Sequence, residues 1–579
     1  MMTRGSLDAS GESSSGSRRP TSGSSTRAPK GAACLNCRRR KMKCDCTRPV
    51  CGQCVRFGRE RDCEYTDGDQ RSRTEILEET ITNLQTRLRA YENTGDSILR
   101  RSPPTNPPAD MFFDSSSGRA SPESNSQLSI GVAQNLIDMF LPHASDLGFF
   151  LNVPRFLERV TFLFSTGPSP SRAPPDALLS AIYVWGMYFS GNSHFRSNEA
   201  ACLTRAQQQV AAALSTPHAN GMHILQAEIL LANYLFNSGR FLEGRAHLGS
   251  AIALALSYRL QKIRSPSDFS LRGPLRLVNT SSLLGEPMDL VDEGERIHGF
   301  WVLYSMDKVW SIALGRGSML VEDGSPISRI ETPWPLTKEQ YQEGNIPDGY
   351  IASQTIDNFI NDTTSTQLFS DLPSTVLSAL ALRAQSAALL DRSAWLSSIC
   401  SSDPSSSVQH QTAFNALDNR IEQFILSLPT IASLPDYPIE IIKSLGKTHM
   451  VARLAVIRLH MGFSDHNITS AAKCLSASKA IIAIFKAMTS GYGDQLIVHN
   501  SDPILPILLT SSAQIMIIEL SKAKHGQALW QTGPACSKVS YMSEVAHEFV
   551  GMMGSANKGS ILTGMQVSKV ESARAMAGV

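Results

Sequence analysis

The sequence predicts a mainly α-helical protein: a small metal-nucleated cluster near the N-terminus, a short coiled coil behind it, and a large all-α helical region over the rest. Three observations lead there. Seven of the 11 cysteines lie between Cys34 and Cys63, together with nine Lys or Arg residues. An apolar seam with 4-3-4-3 spacing follows at residues 77–91. From about residue 128 apolar side chains recur at helical intervals, and no strand-like alternation is sustained over several segments. A chain of 579 residues exceeds the roughly 250–300 residues that one hydrophobic core serves, so several units are expected.

Charge is distributed unevenly. The formal net charge is only +2, but residues 1–100 hold 19 Lys+Arg against 13 Asp+Glu, which leaves the remainder slightly acidic. A polyanionic partner is therefore expected at the N-terminal end. Residues 1–30 are rich in Ser, Gly and Arg without an apolar run, and read as a disordered tail rather than a leader. The most apolar stretch further on, 504–520, is interrupted by Pro506, Gln514 and Glu519, so no membrane span is expected. In a reducing compartment, clustered cysteines point to metal ligands rather than disulfides.

Residues 31–66 are expected to form the metal domain. The pattern is Cys34-x2-Cys37-x6-Cys44, then Cys51-x2-Cys54-x8-Cys63, with Cys46 off the pattern. Structural zinc takes four ligands in a tetrahedron, and three thiols per half fall one short. If one cysteine of each half bridges both ions, the six thiolates fill the eight positions of two Zn2+ without histidine, and the first histidine is indeed far away at His143. A mononuclear site of Cys34, Cys37, Cys51 and Cys54 would leave three thiols unexplained. Nine positive and three negative side chains in 34–63 outweigh the charge of the metal-thiolate cluster. Residues 37–43 are expected to form a short helix that displays Arg38, Arg40, Lys41 and Lys43 to a DNA major groove.

These residues resemble the fungal binuclear zinc cluster (Zn2Cys6) transcription factors. The likeness covers the six cysteines, the basic run RRRKMK at 38–43, Asp45 after the third cysteine and the loop proline Pro49. It implies that Cys34 and Cys51 bridge the ions, that Arg40 and Lys41 read a CGG-type half-site, and that Arg38 and Lys43 grip phosphates. It also implies a nuclear regulator of RNA polymerase II transcription that binds double-stranded DNA as a homodimer and contacts the transcription machinery. The alternative is a zinc-dependent protein-interaction module that never reads DNA. The seventh thiol, Cys46, reads as a bystander; a shifted ligand register and an exposed redox-sensitive thiol are its alternatives.

A polar linker (67–73) leads to TEILEETITNLQTRLRAYE, where Leu77, Ile81, Leu84, Leu88 and Tyr91 form an a/d seam over 74–92. This predicts a dimerising coiled coil, the alternative being an amphipathic helix packed on its own chain. Residues 93–127, with Ser102-Pro103 and Ser121-Pro122, read as a second disordered linker. Residues 128–340 carry EGERIHGFWVLYSMDKVWSIALGRGSML at 293–320, which resembles the signature of the same family's middle homology region, with Gly317 where proline is usual. Trp301 and Trp310 are expected to be core anchors. Residues 341–579 are expected to be a helical C-terminal regulatory region. No GxGxxG after a strand, GxxxxGK[ST], HExxH or GxSxG occurs, so no enzyme is expected.

Overall fold

The computed structural model describes residues 33–59, 63, 65, 82, 128–166, 175–215, 221–266, 284–322, 325–326, 328–361, 378–402, 408–430, 438–498, 502–525 and 560–578. The chain divides into two units, Met1–Ala109 and Asp110–Val579. Among the described residues every regular element is helical. The expected seam residues Leu77, Ile81, Leu84, Leu88 and Tyr91 lie outside the described residues.

Among the described residues the first unit has two five-residue helices, α1 (Leu35–Arg39) and α2 (Gly52–Arg56). Among the described residues its buried cluster is made of thiols: Cys34, Cys37, Cys44, Cys51 and Cys54 are buried, with Met42, Val50, Cys63 and Tyr65 packed around them. So small an apolar core cannot hold a fold by itself.

The second unit contains α3 (Ile130–Phe140), α4 (Val153–Thr166), α5 (Asp176–Ser190), α6 (Ser193–Leu214), α7 (Gly221–Asn237), α8 (Phe241–Ser257), α9 (Leu290–Ala313), α10 (Lys338–Glu343), α11 (Thr355–Asn361), α12 (Ala379–Ser402), α13 (Val408–Ser427), α14 (Ile439–His460), α15 (Ile468–Val498), α16 (Leu505–Lys524) and α17 (Ile561–Ala577). Antiparallel neighbours pack as hairpins, α5 on α6 and α7 on α8, the latter pair joined through Gly239 at φ +71°. Long-range pairs tie the hairpins together: α9 packs on α12, α12 on α14, and α17 touches both α16 and α7. These contacts turn a row of helix pairs into one core.

Helix α9 is the axis of that core, buried almost without interruption from Arg296 to Ile312. Trp301 and Trp310 are anchors as expected: both are buried, Trp301 donates from Nε1 to the Pro333 carbonyl at 2.7 Å, and Trp310 stacks on Phe236 with centroids 3.9 Å apart. The charged residues of the same segment are structural ties. Asp307 is fully buried and accepts the backbone N–H groups of Met319 (3.1 Å) and Leu320 (2.9 Å), while Lys308 Nζ donates to the Leu320 carbonyl (2.7 Å) and pairs with Asp391 (3.0 Å). Glu295 accepts the Asn152 N–H at 2.7 Å. An acidic or basic residue at these positions thus caps a loop against the helix.

One segment, Ile468–Thr489 in α15, is long and apolar enough to cross a membrane (mean hydropathy 1.4), and half of it is buried inside the unit, where the helix packs on α14 and α16. The 504–520 stretch singled out in the sequence is the neighbouring helix α16.

Candidate metal centre and nucleic-acid interface

The two halves of the cysteine motif fold alike. Cys34 and Cys51 each stand in extended conformation before a five-residue helix and act as its N-cap: the Cys34 thiol accepts the Cys37 N–H and the Cys51 thiol accepts the Cys54 N–H, both at 3.4 Å. The C-x2-C spacing produces this, because it sets the first thiol at the N-cap and the second on the first turn. Each helix also ends alike. The Met42 N–H bonds the Cys37 carbonyl (2.9 Å) around Lys41 at φ +55°, and the Arg59 N–H bonds the Cys54 carbonyl (2.8 Å) around Gly58 at φ +61°. Both are left-handed helix closures, so the two halves repeat one local fold.

The thiols of the two halves lie together. Cys34 Sγ lies 3.7 Å from Cys51 Sγ; Cys37 Sγ is 3.6 Å from Cys51 Sγ, and Cys54 Sγ is 3.8 Å from Cys34 Sγ. A zinc tetrahedron with bonds of about 2.3 Å has S···S edges of about 3.8 Å, so these separations fit zinc, with Cys34–Cys51 as an edge that two tetrahedra can share. The ligand atoms of Cys34, Cys37, Cys51 and Cys54 all lie within 4.8 Å of one another, as do those of Cys44, Asp45 and Cys51. Cys63 joins the group through its thiol, which accepts the Cys51 N–H at 3.2 Å. Cys46 packs on the edge of the group without entering it: it is partly exposed, sits at φ +59°, and its thiol lies 3.9 Å from the Cys44 carbonyl.

Burial pushes the Cys34 thiol far above its ordinary value and the Cys37 thiol up to about 12. At Cys54 burial acts in the same sense, but donation from Asn36 Nδ2 at 3.3 Å, with help from the neighbouring thiols, holds it below its ordinary value. Thiols in such a site surrender their protons to a cation, so metal binding and proton release are coupled.

The cluster has supports that the cysteine spacing alone does not reveal. Asp45 accepts the Gly52 N–H through Oδ2 at 3.0 Å and the Thr47 N–H at 3.5 Å, which ties the loop to the start of α2. The Tyr65 hydroxyl donates to the Thr47 carbonyl (2.9 Å) and lies 3.8 Å from Cys44 Sγ, with the Arg48 guanidinium 5.0 Å from the ring centroid. The signal for Tyr65 was an aromatic residue two positions past the last cysteine; for Asn36, an amide between two thiols.

The basic residues require one correction. The expected helix at 37–43 is instead Leu35–Arg39, with Arg40 as its C-cap and Lys41 in the left-handed turn beyond it. Capping by Cys34 starts the helix two residues earlier, and the closure at Lys41 ends it so that the chain can turn back to Cys44. Arg38, Arg40, Lys41 and Lys43 are all exposed. They form a surface over the helix end and its turn rather than one helical face.

Comparison with known proteins agrees with this arrangement. The fungal Zn(2)-Cys(6) binuclear cluster domain matches residues 32–72, and the fungal specific transcription factor domain matches residues 137–425. Among related proteins, the notoamide biosynthesis cluster transcriptional coactivator notQ' of Aspergillus versicolor is 23 % identical over 52 % of this chain and 57 % of its own length. Transcription factor FBD3 of Gibberella moniliformis is 36 % identical over 11 % of this chain and 8 % of its own. The citrinin biosynthesis transcriptional activator ctnR of Monascus purpureus is 23 % identical over 84 % of this chain and 86 % of its own. The chain thus spans little more than half of the first of these relatives and a small part of the second. The cluster domain of that type binds two zinc ions through six cysteines.

Proposed function

We propose, since this chain belongs to the fungal Zn2Cys6 transcription factor family, that it is a sequence-specific DNA-binding regulator of transcription that reads paired CGG-type half-sites. In this reading Cys34 and Cys51 hold both zinc ions, Cys37 and Cys44 complete one tetrahedron, and Cys54 and Cys63 complete the other. Bound zinc supplies the folding free energy that the thiol-lined core lacks. What the chain's own residues do is present charge at fixed positions: Arg40 and Lys41 to the paired O6 and N7 acceptors of guanine, Arg38 and Lys43 to phosphates.

The observation that supports the reading is the 3.7 Å approach of the Cys34 and Cys51 thiols, together with the exposed cations beside them. An interaction module without DNA reading would need no such concentration of positive charge over a pinned turn. Leu77, Ile81, Leu84, Leu88 and Tyr91 supply the homodimer seam, and the place of work is the nucleus with the transcription machinery. The family is not an enzyme class. The names of two relatives refer to biosynthesis of notoamide and citrinin, so the genes of a biosynthetic cluster are the first place to look for binding sites.

Native mass spectrometry and DNA-binding titrations test the proposal. Two zincs per chain, and a preference for CGG pairs over scrambled DNA that survives in 0.15 M salt, are expected. One zinc per chain, or equal affinity for both DNAs, would refute it.

A further inference from the structure

The second unit carries a cavity of about 880 Å3 between α8, α9, α14, α16 and α17, within the range of about 300–1,000 Å3 that encloses drug-sized molecules. Its floor is apolar, with Phe241, Trp310, Leu454 and Ile507 among the lining residues. Met461, Ile518 and Met576 line it as well and are 45 %, 46 % and 89 % exposed, so its mouth presents bare hydrocarbon to water.

The charge on its wall has one sign. Among the described residues, Arg458, Lys522 and Lys569 line the cavity and no Asp or Glu does. Lys522 is already paired with Asp465 (2.7 Å) and Glu519 (2.8 Å). Arg458 is not: its Nη2 donates to the Ile312 carbonyl at 3.1 Å, and among the described residues it forms no salt bridge. A half-buried guanidinium without an anion is a costly arrangement that a bound anion would relieve. Thr510 adds a second unmet demand, since its hydroxyl is buried on the same wall with no hydrogen-bond partner.

We propose that this cavity binds an amphipathic organic acid, with an apolar body against Trp310 and Leu454 and one carboxylate at Arg458. The neutral body satisfies the hydrocarbon lining; the carboxylate satisfies the one arginine of the wall that lacks an anion. This inference concerns the helical unit alone and stands whether or not the zinc cluster reads DNA.

The test uses the full chain and two probes, 11-bromoundecanoate and 11-bromoundecan-1-ol, followed by calorimetry and by tryptophan fluorescence, because bromine quenches an indole it touches. The acid is expected to bind saturably at one per chain, at least tenfold more tightly than the alcohol, with quenching that disappears in Trp310→Phe while calorimetric binding remains. Arg458→Gln is expected to bring the acid down to the affinity of the alcohol, and Ala573→Trp, which fills the cavity from α17, to abolish binding, both with the circular dichroism and melting temperature of the parent. Absent or non-saturable binding, equal affinity for acid and alcohol, or undiminished binding by a folded Ala573→Trp would overturn the proposal. So would a change in sedimentation of Ala573→Trp without acid binding to the parent, which would make the cavity an interface between copies of the chain.

Discussion

Lys41 holds a conformation that Gly58, at the same place in the second half, adopts without cost. The two helix closures have φ values of +55° and +61°, yet a side chain in the left-handed region costs roughly 1–2 kcal/mol. A lysine at such a place is paid for by what its side chain does elsewhere, and base reading is the function proposed for it. Lys41→Gly should therefore leave two zincs bound and the cluster as stable or more so, while affinity for a CGG site falls by about 1–3 kcal/mol and discrimination against scrambled DNA relaxes. Equal losses on specific and random DNA, read by fluorescence anisotropy, would make Lys41 a phosphate contact. Cys46 is strained in the same way at φ +59° and packs on the edge of the thiol cluster without belonging to either group of ligand atoms. Cys46→Ser should retain both zincs and specific DNA affinity, whereas Cys44→Ser should lose metal; native mass spectra in which the two variants exchange behaviour would move the ligand register.

At the scale of elements, the loop between the two helical turns of the cluster is held to α2 by a short contact. A β-carbon at Gly52 would stand 2.5 Å from Asp45 Oδ2, the atom that accepts the Gly52 N–H. Gly52→Ala should push Asp45 away, loosen the loop from α2 and raise the zinc dissociation constant by about tenfold, in line with other outer-shell changes; a chelator titration that matches the parent would show that the loop tolerates the shift. For the 74–92 seam, Leu84→Glu should weaken binding to paired half-sites far more than to single ones, because a short seam has little stability to spare. Analytical ultracentrifugation provides the check, and an unchanged dimer would rule out the zipper.

Across the whole second unit, one buried network ties distant segments. Asp146 accepts from Lys443 (3.1 Å) and Lys447 (2.8 Å), and Asp502 pairs with Lys447 and Arg383 (both 3.1 Å), with the side chains of both carboxylates and both lysines at most 6 % exposed. These contacts join the start of the domain to α12, α14 and the residues before α16. Removing a central cation leaves buried carboxylate charge uncompensated, so Lys447→Met should cost about 3 kcal/mol in denaturant unfolding; a loss below about 1 kcal/mol would mean that Lys443 and Arg383 suffice. The pH dependence has a definite sign. Burial opposes ionisation of Asp146, but Lys447 and Lys443 outweigh it and hold the carboxyl below the usual carboxylate range. A depressed acid contributes stability above its unfolded value of about 3.9 and loses it as the pH falls through the folded value. Melting temperatures of the parent should thus drop more steeply below about pH 4 than those of Asp146→Asn.

The sequence by itself determined the chemistry of the N-terminal unit and the helical character of the rest. Six cysteines at fixed spacing count out two zincs because tetrahedral coordination is local arithmetic, and RRRKMK carries its charge in any conformation. The runs of apolar residues marked α7, α8 and α14 for the same reason, since they record how much of each helix is buried, and α7 is buried on every side. Only the tertiary structure decided what depends on geometry between segments. The start of α1 at Leu35 rather than two residues later follows from Cys34 acting as its cap, and the turn at Lys41 follows from the need to bring Cys44 back toward Cys51. The ties at Asp307 and Asp146 reach across 12 and 301 residues of chain, and no local pattern marks a buried charge whose partner lies on another helix. The apolar cavity at Arg458 is of the same kind: among the described residues five helices contribute to it and none brings an acid to its wall, an arrangement that exists only once they are assembled.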